Sequence, residues 1–372
     1  MATRTSKRVV LVGPNQPLEI WERPLPAPEA GAIVVRVEMS GVCGTDVHLW
    51  RGELPLPYPV TLGHEGIAIV EELGKGVTTD YAGAPIAPGD RVYWQPVRQC
   101  HRCYYCTVEK DFSLCENLFG ELFRNANEPP SSCYAEFCSL PPGMAFYRVP
   151  EDTPTEALIA FGCAMPTVLQ ALERLGGIAL NQSVVVQGCG PVGLAATLMA
   201  RLSGARQVIV IGAPERRLAM ARRLGASATI DLETLSSEAD RVQRVRELTA
   251  GRGAEVVIEA AGHLPAFTEG MKLVAKNGRY LIIGLWSAPG TVPIEPRYLN
   301  NNNIRIIGNA LAQPQHLYGA IQVARAHHRE FPMAEAITHR FALAEAQQAL
   351  EAVARLETVK AVIIPHRSEV KV

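Results

Sequence analysis

The stretch that most constrains the fold is SVVVQGCGPVGLAATLMARLSG, residues 183–204. Val184, Val185 and Val186 are three β-branched residues in a row, which is a short buried strand. Gly188, Gly190 and Gly193 follow at once, and an apolar helical run begins. Strand, glycines and helix in that order form a dinucleotide fingerprint. The first glycine permits a tight turn, the second lets the backbone approach a pyrophosphate, and the third lets helix and strand pack closely. The helix start offers unpaired N–H groups to phosphate. Gly188, Gly190, Pro191, Val192 and Gly193 are therefore candidate cofactor-binding residues.

The flanking sequence continues the pattern. Gln207–Ile211, Glu255–Glu259, Tyr280–Ile283 and Ile304–Ile307 read as strands, and Arg216–Leu224 and Glu238–Thr249 as helices. Alternation of this kind predicts an α/β unit, a doubly wound parallel sheet with helices on both faces. The second strand normally ends in an acid that holds the ribose 2′-hydroxyl. Here it ends at Gly212, followed by Glu215, Arg216 and Arg217. Glycine leaves room for a 2′-phosphate that an arginine could pair with. Solvated arginines, with Glu215 on the ribose, are the competing reading, so NAD and NADP both stay open.

At 372 residues the chain suits two domains. Apolar residues at 48% and charged residues at 20% indicate a globular protein. A net charge of −1 provides no general attraction for nucleic acid or anionic membrane. The only early apolar run, Val9–Val12, is too short for a secretory signal. The first 150 residues carry short apolar runs bounded by Pro and Gly, including Arg8–Val12, Ala32–Met39, Gly66–Glu72 and Arg91–Trp94, which predict a mostly β unit. Leu158, Phe161, Met165, Leu169 and Leu172 are spaced as in one helix over Thr155–Leu175. Helices are expected at His316–His328 and Leu343–Leu356, with a closing strand at Lys360–Ile364.

Nine cysteines include a cluster at Cys100, Cys103, Cys106 and Cys115. Thiolates two residues apart can converge on one tetrahedral ion, and four of them close its shell, as in a structural zinc site. The rival readings are buried thiols and a redox Cys-x-x-Cys. The hydrophilic loop argues against the first, and the third and fourth cysteines weaken the second. Metal-bound thiols without a signal peptide point to a reducing, cytoplasmic location. Cys133 and Cys138 are read as core residues. A second concentration of chemistry lies in GVCGTDVHLWRGELPLPYPVTLGHE, residues 41–65. It gathers Cys43, Thr45, Asp46 and His48, then His64 and Glu65, and cysteine and histidine are favoured zinc ligands.

GVCGTDVH (41–48), GHE (63–65), the cysteine cluster, FGCA (161–164), GCGPVG (188–193) and KAVIIP (360–365) occur in the order found in zinc-dependent medium-chain alcohol dehydrogenases. The chain resembles that family along nearly its full length. The resemblance implies a GroES-like catalytic domain over 1–160 with a structural-zinc lobe at 95–118. It implies a Rossmann domain over 161–306 and a return to the catalytic domain over 307–372. It implies two zinc ions per chain, NAD(P)+ and a small-molecule alcohol substrate, with the reaction where the domains meet, in a homodimer or homotetramer. Cys43, His64 and Cys163 would be catalytic zinc ligands, Glu156 being the lesser candidate for the third. Glu65 would stand beside the metal, Asp46 would orient His64, and Lys360 would contact the cofactor. Thr45 would take the hydroxyl proton and pass it through the cofactor ribose to His48. The Cys106–Cys115 gap is one residue longer than in the family. Trp50, Trp94, Leu285 and Trp286 would line an apolar pocket, for a cyclic or secondary alcohol, though each Trp also reads as core. A polyol dehydrogenase and an inactive NADPH- or zinc-binding relative are the alternatives.

Overall fold

In the computed structural model, residues 4–118 and 122–367 are described, with 286 and 287 described in their backbone alone. The chain forms two units. One comprises the chain up to Cys163 together with Gln313–His328 and the chain from Met333 onward. The other comprises Ala164–Ala312 with Arg329–Pro332. The junctions thus fall a few residues beyond those drawn from sequence, and Cys163 belongs to the first unit.

The first unit begins with strands β1 (Thr5–Leu11), β2 (Glu19–Pro24) and β3 (Ile33–Val42), then helix α1 (Gly44–Trp50). Strands β4 (Val60–Thr61), β5 (Gly66–Leu73), β6 (Arg91–Trp94), β7 (Phe137–Leu140) and β8 (Phe146–Arg148) follow, with helix α2 (Thr155–Ile159). A mixed sheet has the order β15-β16-β3-β5-β6-β8, where β15 is Ile337–Ala342 and β16 is Lys360–Ile364, and β7 also pairs with β3. A small sheet has the order β2-β1-β4. Strand β3 is central because Ile33, Val35 and Val37 put one face into a core with Ala68, Val70, Val92, Trp94 and Leu140. Each such buried aliphatic side chain contributes about 1.5–3 kcal/mol. Cys133 and Cys138 lie in that core, as their sequence suggested.

The second unit holds α3 (Ala164–Leu175), β9 (Ser183–Gln187), α4 (Pro191–Leu202), β10 (Gln207–Gly212), α5 (Glu215–Arg223) and β11 (Ala228–Asp231). It continues with α6 (Glu238–Leu248), β12 (Ala254–Glu259), α7 (Leu264–Leu273), β13 (Val274–Ile282), α8 (Pro296–Asn302) and β14 (Arg305–Gly308). All six strands are parallel, in the order β11-β10-β9-β12-β13-β14. That is the doubly wound order, with its switch point between β9 and β12. Every residue of β9 is buried, as a strand covered on both faces requires.

The helix expected over Thr155–Leu175 is a correction. It breaks into α2 and α3, and the break holds Phe161, Gly162 and Cys163. Gly162 has φ +40°, outside helical backbone. A side chain there would collide with the Glu65 carboxylate, since its Cβ would stand 2.3 Å from Cδ. Among the described residues no helix is long and apolar enough to cross a membrane.

Candidate active site

Strand β3 ends at Val42, and Cys43 caps α1 in an extended conformation. Asp46, in the first turn of α1, folds its carboxylate back so that Oδ2 accepts the Cys43 N–H at 2.9 Å. An acid here also complements the helix dipole. Asp46 is completely buried. Its Oδ1 faces His64 Nδ1 at 3.1 Å, and Oδ2 also accepts the Tyr134 hydroxyl at 2.9 Å. A carboxylate only accepts, so His64 Nδ1 carries the proton and Nε2 is the nitrogen left for a metal.

Glu65 follows His64 and is 1% exposed. Its Oε1 accepts the Cys163 N–H at 3.0 Å, and Oε2 accepts from Lys360 Nζ. Lys360 is equally buried. The family resemblance placed Lys360 on the cofactor, whereas here its ammonium is engaged by Glu65. Glu65 thus holds the broken helix in place and orients Cys163, which explains why Gly162 must lack a side chain.

These restraints bring Cys43, His64, Glu65 and Cys163 together, with one potential ligand atom from each within 4.8 Å of all the others. Cys43 Sγ and Cys163 Sγ are 3.8 Å apart. Two sulfurs at about 2.3 Å from one tetrahedral zinc would stand about 3.8 Å apart, so the donors and their spacing fit that ion. The cluster contains Cys163 and not Glu156. The buried groups also set one another's protonation. The Cys163 hydrogen bond holds the Cys43 thiol well below its usual range, helped by His64, and the same contact pushes Cys163 up. Burial works against a charged His64, but Asp46 and Cys43 outweigh it and raise its pKa. Cys43 is thus favoured as the thiolate, the form that binds metal, while His64 is favoured as the imidazolium that pairs with it, so a bound cation would replace the proton on Nε2.

Thr45, His48 and Trp50 share α1 with Asp46. His48 is half-buried, and its Nδ1 lies 2.5 Å from Glu53 Oε2. Glu53 is a partner that the sequence reading missed; an acid five residues along was its only signal. Trp50 packs beside the core of β1, β3 and α1 with Leu18, Leu54, Leu56 and Phe123, and its indole N–H donates to the Gln16 carbonyl at 2.9 Å. Trp94 is a correction. It is 2% exposed in the β core, with its ring against Gly66, where a Cβ would meet Cη2 at 2.1 Å. It is core, not an open pocket wall. Leu285 is half-buried beside the core of the parallel sheet. The Trp286 side chain lies outside the described residues.

The sulfurs of Cys100, Cys103, Cys106 and Cys115 also lie within 4.8 Å of one another. Residues Tyr105–Glu109 form a π-helical turn that ends at Lys110 in left-handed backbone. The Cys100 and Asn117 N–H groups donate to Cys115 Sγ at 3.3 and 3.4 Å. The Arg102 N–H is the leading cause that draws Cys100 down to about 6, and the Glu116 N–H lowers Cys103.

In the parallel-sheet unit, Gly188 has φ +104°, and a Cβ there would meet the Ala260 carbonyl oxygen at 2.5 Å. A Cβ on Gly193 would meet the Gly188 carbonyl oxygen at 2.0 Å, so helix and turn touch. Gly190 caps α4, followed by Pro191 and Val192, and has nothing within 4 Å of a Cβ position. The turn therefore leaves open space at the helix start, where an anion would sit. At Gly212 the space is filled by Cys189, whose Sγ would be 2.5 Å from a Cβ. The arginines differ. Arg216 is exposed, whereas Arg217 is buried near Cys189 and burial lowers its pKa. Arg217 thus lies beside the glycine turn, and Arg216 on the surface of α5.

Comparison with known proteins agrees with this architecture. Residues 29–151 match the alcohol dehydrogenase GroES-like domain and residues 191–326 the zinc-binding dehydrogenase family. The chain is 48% identical over 359 residues to 5-exo-hydroxycamphor dehydrogenase of Pseudomonas putida, covering 96% of this chain and 98% of that one. It is 29% identical to sorbitol dehydrogenase of Halalkalibacterium halodurans, covering 93% and 95%. The fold superposes on an alcohol dehydrogenase of Thermotoga maritima with TM-score 0.92 at 32% identity, covering 98% and 100%. It also superposes on a zinc-binding dehydrogenase of Sinorhizobium meliloti bound to NADP, with TM-score 0.85 at 28% identity, covering 97% and 100%. The chain belongs to the zinc-dependent medium-chain alcohol dehydrogenase family.

Proposed function

We propose that the protein oxidises an apolar, cyclic secondary alcohol to its ketone, reversibly, with NAD(P)+ as hydride acceptor. Convergence of Cys43, His64 and Cys163, with sulfurs at the edge length of a zinc tetrahedron, carries this reading. Cys43, His64 and Cys163 would hold one zinc, and the four-cysteine lobe a second. When bound, the zinc supplies a Lewis acid that lowers the pKa of the substrate hydroxyl, and the nicotinamide supplies the hydride acceptor. Asp46 holds the His64 ring in the tautomer that exposes Nε2. Thr45 takes the hydroxyl proton and His48 receives it toward the surface, oriented by Glu53. The open backbone at Gly190 and the start of α4 receive the cofactor pyrophosphate. Arg216 reads the 2′ end of the ribose.

Identity of 48% to a hydroxycamphor dehydrogenase, against 29% to a sorbitol dehydrogenase, favours a bicyclic alcohol over a polyol. The test is reduction of NAD+ and NADP+, followed at the nicotinamide absorbance, with bicyclic, linear secondary and polyhydroxy alcohols. Highest kcat/KM on the bicyclic alcohols is expected. Turnover confined to polyols, or none with any alcohol, would sink the proposal.

A further inference from the structure

Asp46 accepts hydrogen bonds from three groups, and Tyr134 is one that no ligand motif announces. Tyr134 is fully buried in the core of β1, β3 and α1. Its backbone is pinned on both sides. The Tyr134 N–H donates to the Leu62 carbonyl at 3.0 Å, the Cys133 N–H to the Gly63 carbonyl at 3.1 Å, and the Val9 N–H to the Tyr134 carbonyl at 2.8 Å. Its ring lies on Gly63, the residue before His64, where a Cβ would come within 2.3 Å of Cδ1. The same side chain therefore sets the position of the Gly63–Glu65 turn and, through its hydroxyl, the orientation of Asp46.

We propose that Tyr134 is a positioning residue for the metal held by Cys43, His64 and Cys163, acting through Asp46. The inference rests on the zinc reading above. Without the hydroxyl, Oδ2 keeps only the Cys43 N–H. The carboxylate torsion is soft, so the acceptor that orients His64 loses a restraint. The ring remains to fill the core, so Tyr134→Phe separates this function from packing. Outer partners of metal ligands typically govern affinity by 10–100-fold, and Tyr134 stands one bond further out.

The test uses the zinc-loaded protein. Zinc content is measured first, then release to an excess of colorimetric chelator is followed in the wild type and Tyr134→Phe. Two release phases are expected, and Cys43→Ser identifies the relevant one by abolishing it. In Tyr134→Phe that phase should quicken by on the order of tenfold, while the four-cysteine phase of the same molecule stays unchanged. Asp46→Asn combined with Tyr134→Phe should release zinc no faster than Asp46→Asn alone, because the two changes break one chain of contacts. Equal rates in wild type and Tyr134→Phe would overturn the inference and leave the zinc reading standing. Acceleration of both phases would also overturn it, by assigning the effect to general stability. A wild type with one zinc, still retained in Cys43→Ser, would overturn the zinc reading and the inference together.

Discussion

The two sulfur-rich clusters each gather their ligand atoms within 4.8 Å, but draw them from the chain in opposite ways. The lobe takes Cys100, Cys103, Cys106 and Cys115 from one short loop, and neighbouring backbone N–H groups solvate the sulfurs. The other cluster takes Cys43 from a helix cap, His64 from the turn before β5 and Cys163 from a broken helix. It depends on buried side chains, Asp46 and the Glu65–Lys360 pair, to bring those pieces into register. A loop site can be lost without disturbing much else. A site built across the core ties metal binding to packing.

The sharpest way to break this contrast is Cys43→Ser. It should remove one of two zincs and lower kcat/KM by about a thousandfold or more, since a catalytic metal stabilises transition-state charge by several kcal/mol. Elemental analysis and steady-state kinetics check it, and full activity with one zinc would end the assignment. Lys360→Met should come next in size. It leaves Glu65 as a buried carboxylate without its cation, at a cost of about 3–5 kcal/mol in denaturant unfolding. Glu65→Gln with Lys360→Met should be milder than Lys360→Met alone, and additive losses would show that the pair does not act as a unit. Cys100→Ser should have the smallest effect. The expected result is loss of the other zinc and a Tm lower by about 5–10 °C, with kcat of the folded enzyme unchanged. Loss of kcat at a temperature where the variant remains folded would erase the distinction between the two clusters.

Much of the fold was legible because its signals are local. The valine run and the glycines of β9 and α4 specify strand, turn and helix within a few residues of one another, and the alternating Ile33, Val35 and Val37 mark β3. Where periodicity alone was used, it failed at the place that matters. Leu158, Phe161, Met165 and Leu169 keep helical spacing across residues that are not one helix. The break comes from Glu65, almost a hundred positions earlier, whose carboxylate takes the Cys163 N–H and lies against Gly162. Trp94 was read as a pocket wall because aromatic residues serve core and pocket alike, and only its packing on Gly66 tells them apart. Tyr134 and Glu53 carried no motif at all.

By itself, then, the sequence determined what local chemistry can determine: a parallel-sheet unit with a phosphate-sized turn, a mostly β unit, and a loop whose four thiols can close on one ion. Only the tertiary structure decided which distant groups meet. It broke the helix at Gly162 to present Cys163, paired Lys360 with Glu65, buried Arg217 beside Cys189 and placed Tyr134 on Asp46. The reason is physical. A buried charge or polar group must find its partner wherever the core brings one, and sequence spacing does not record that meeting.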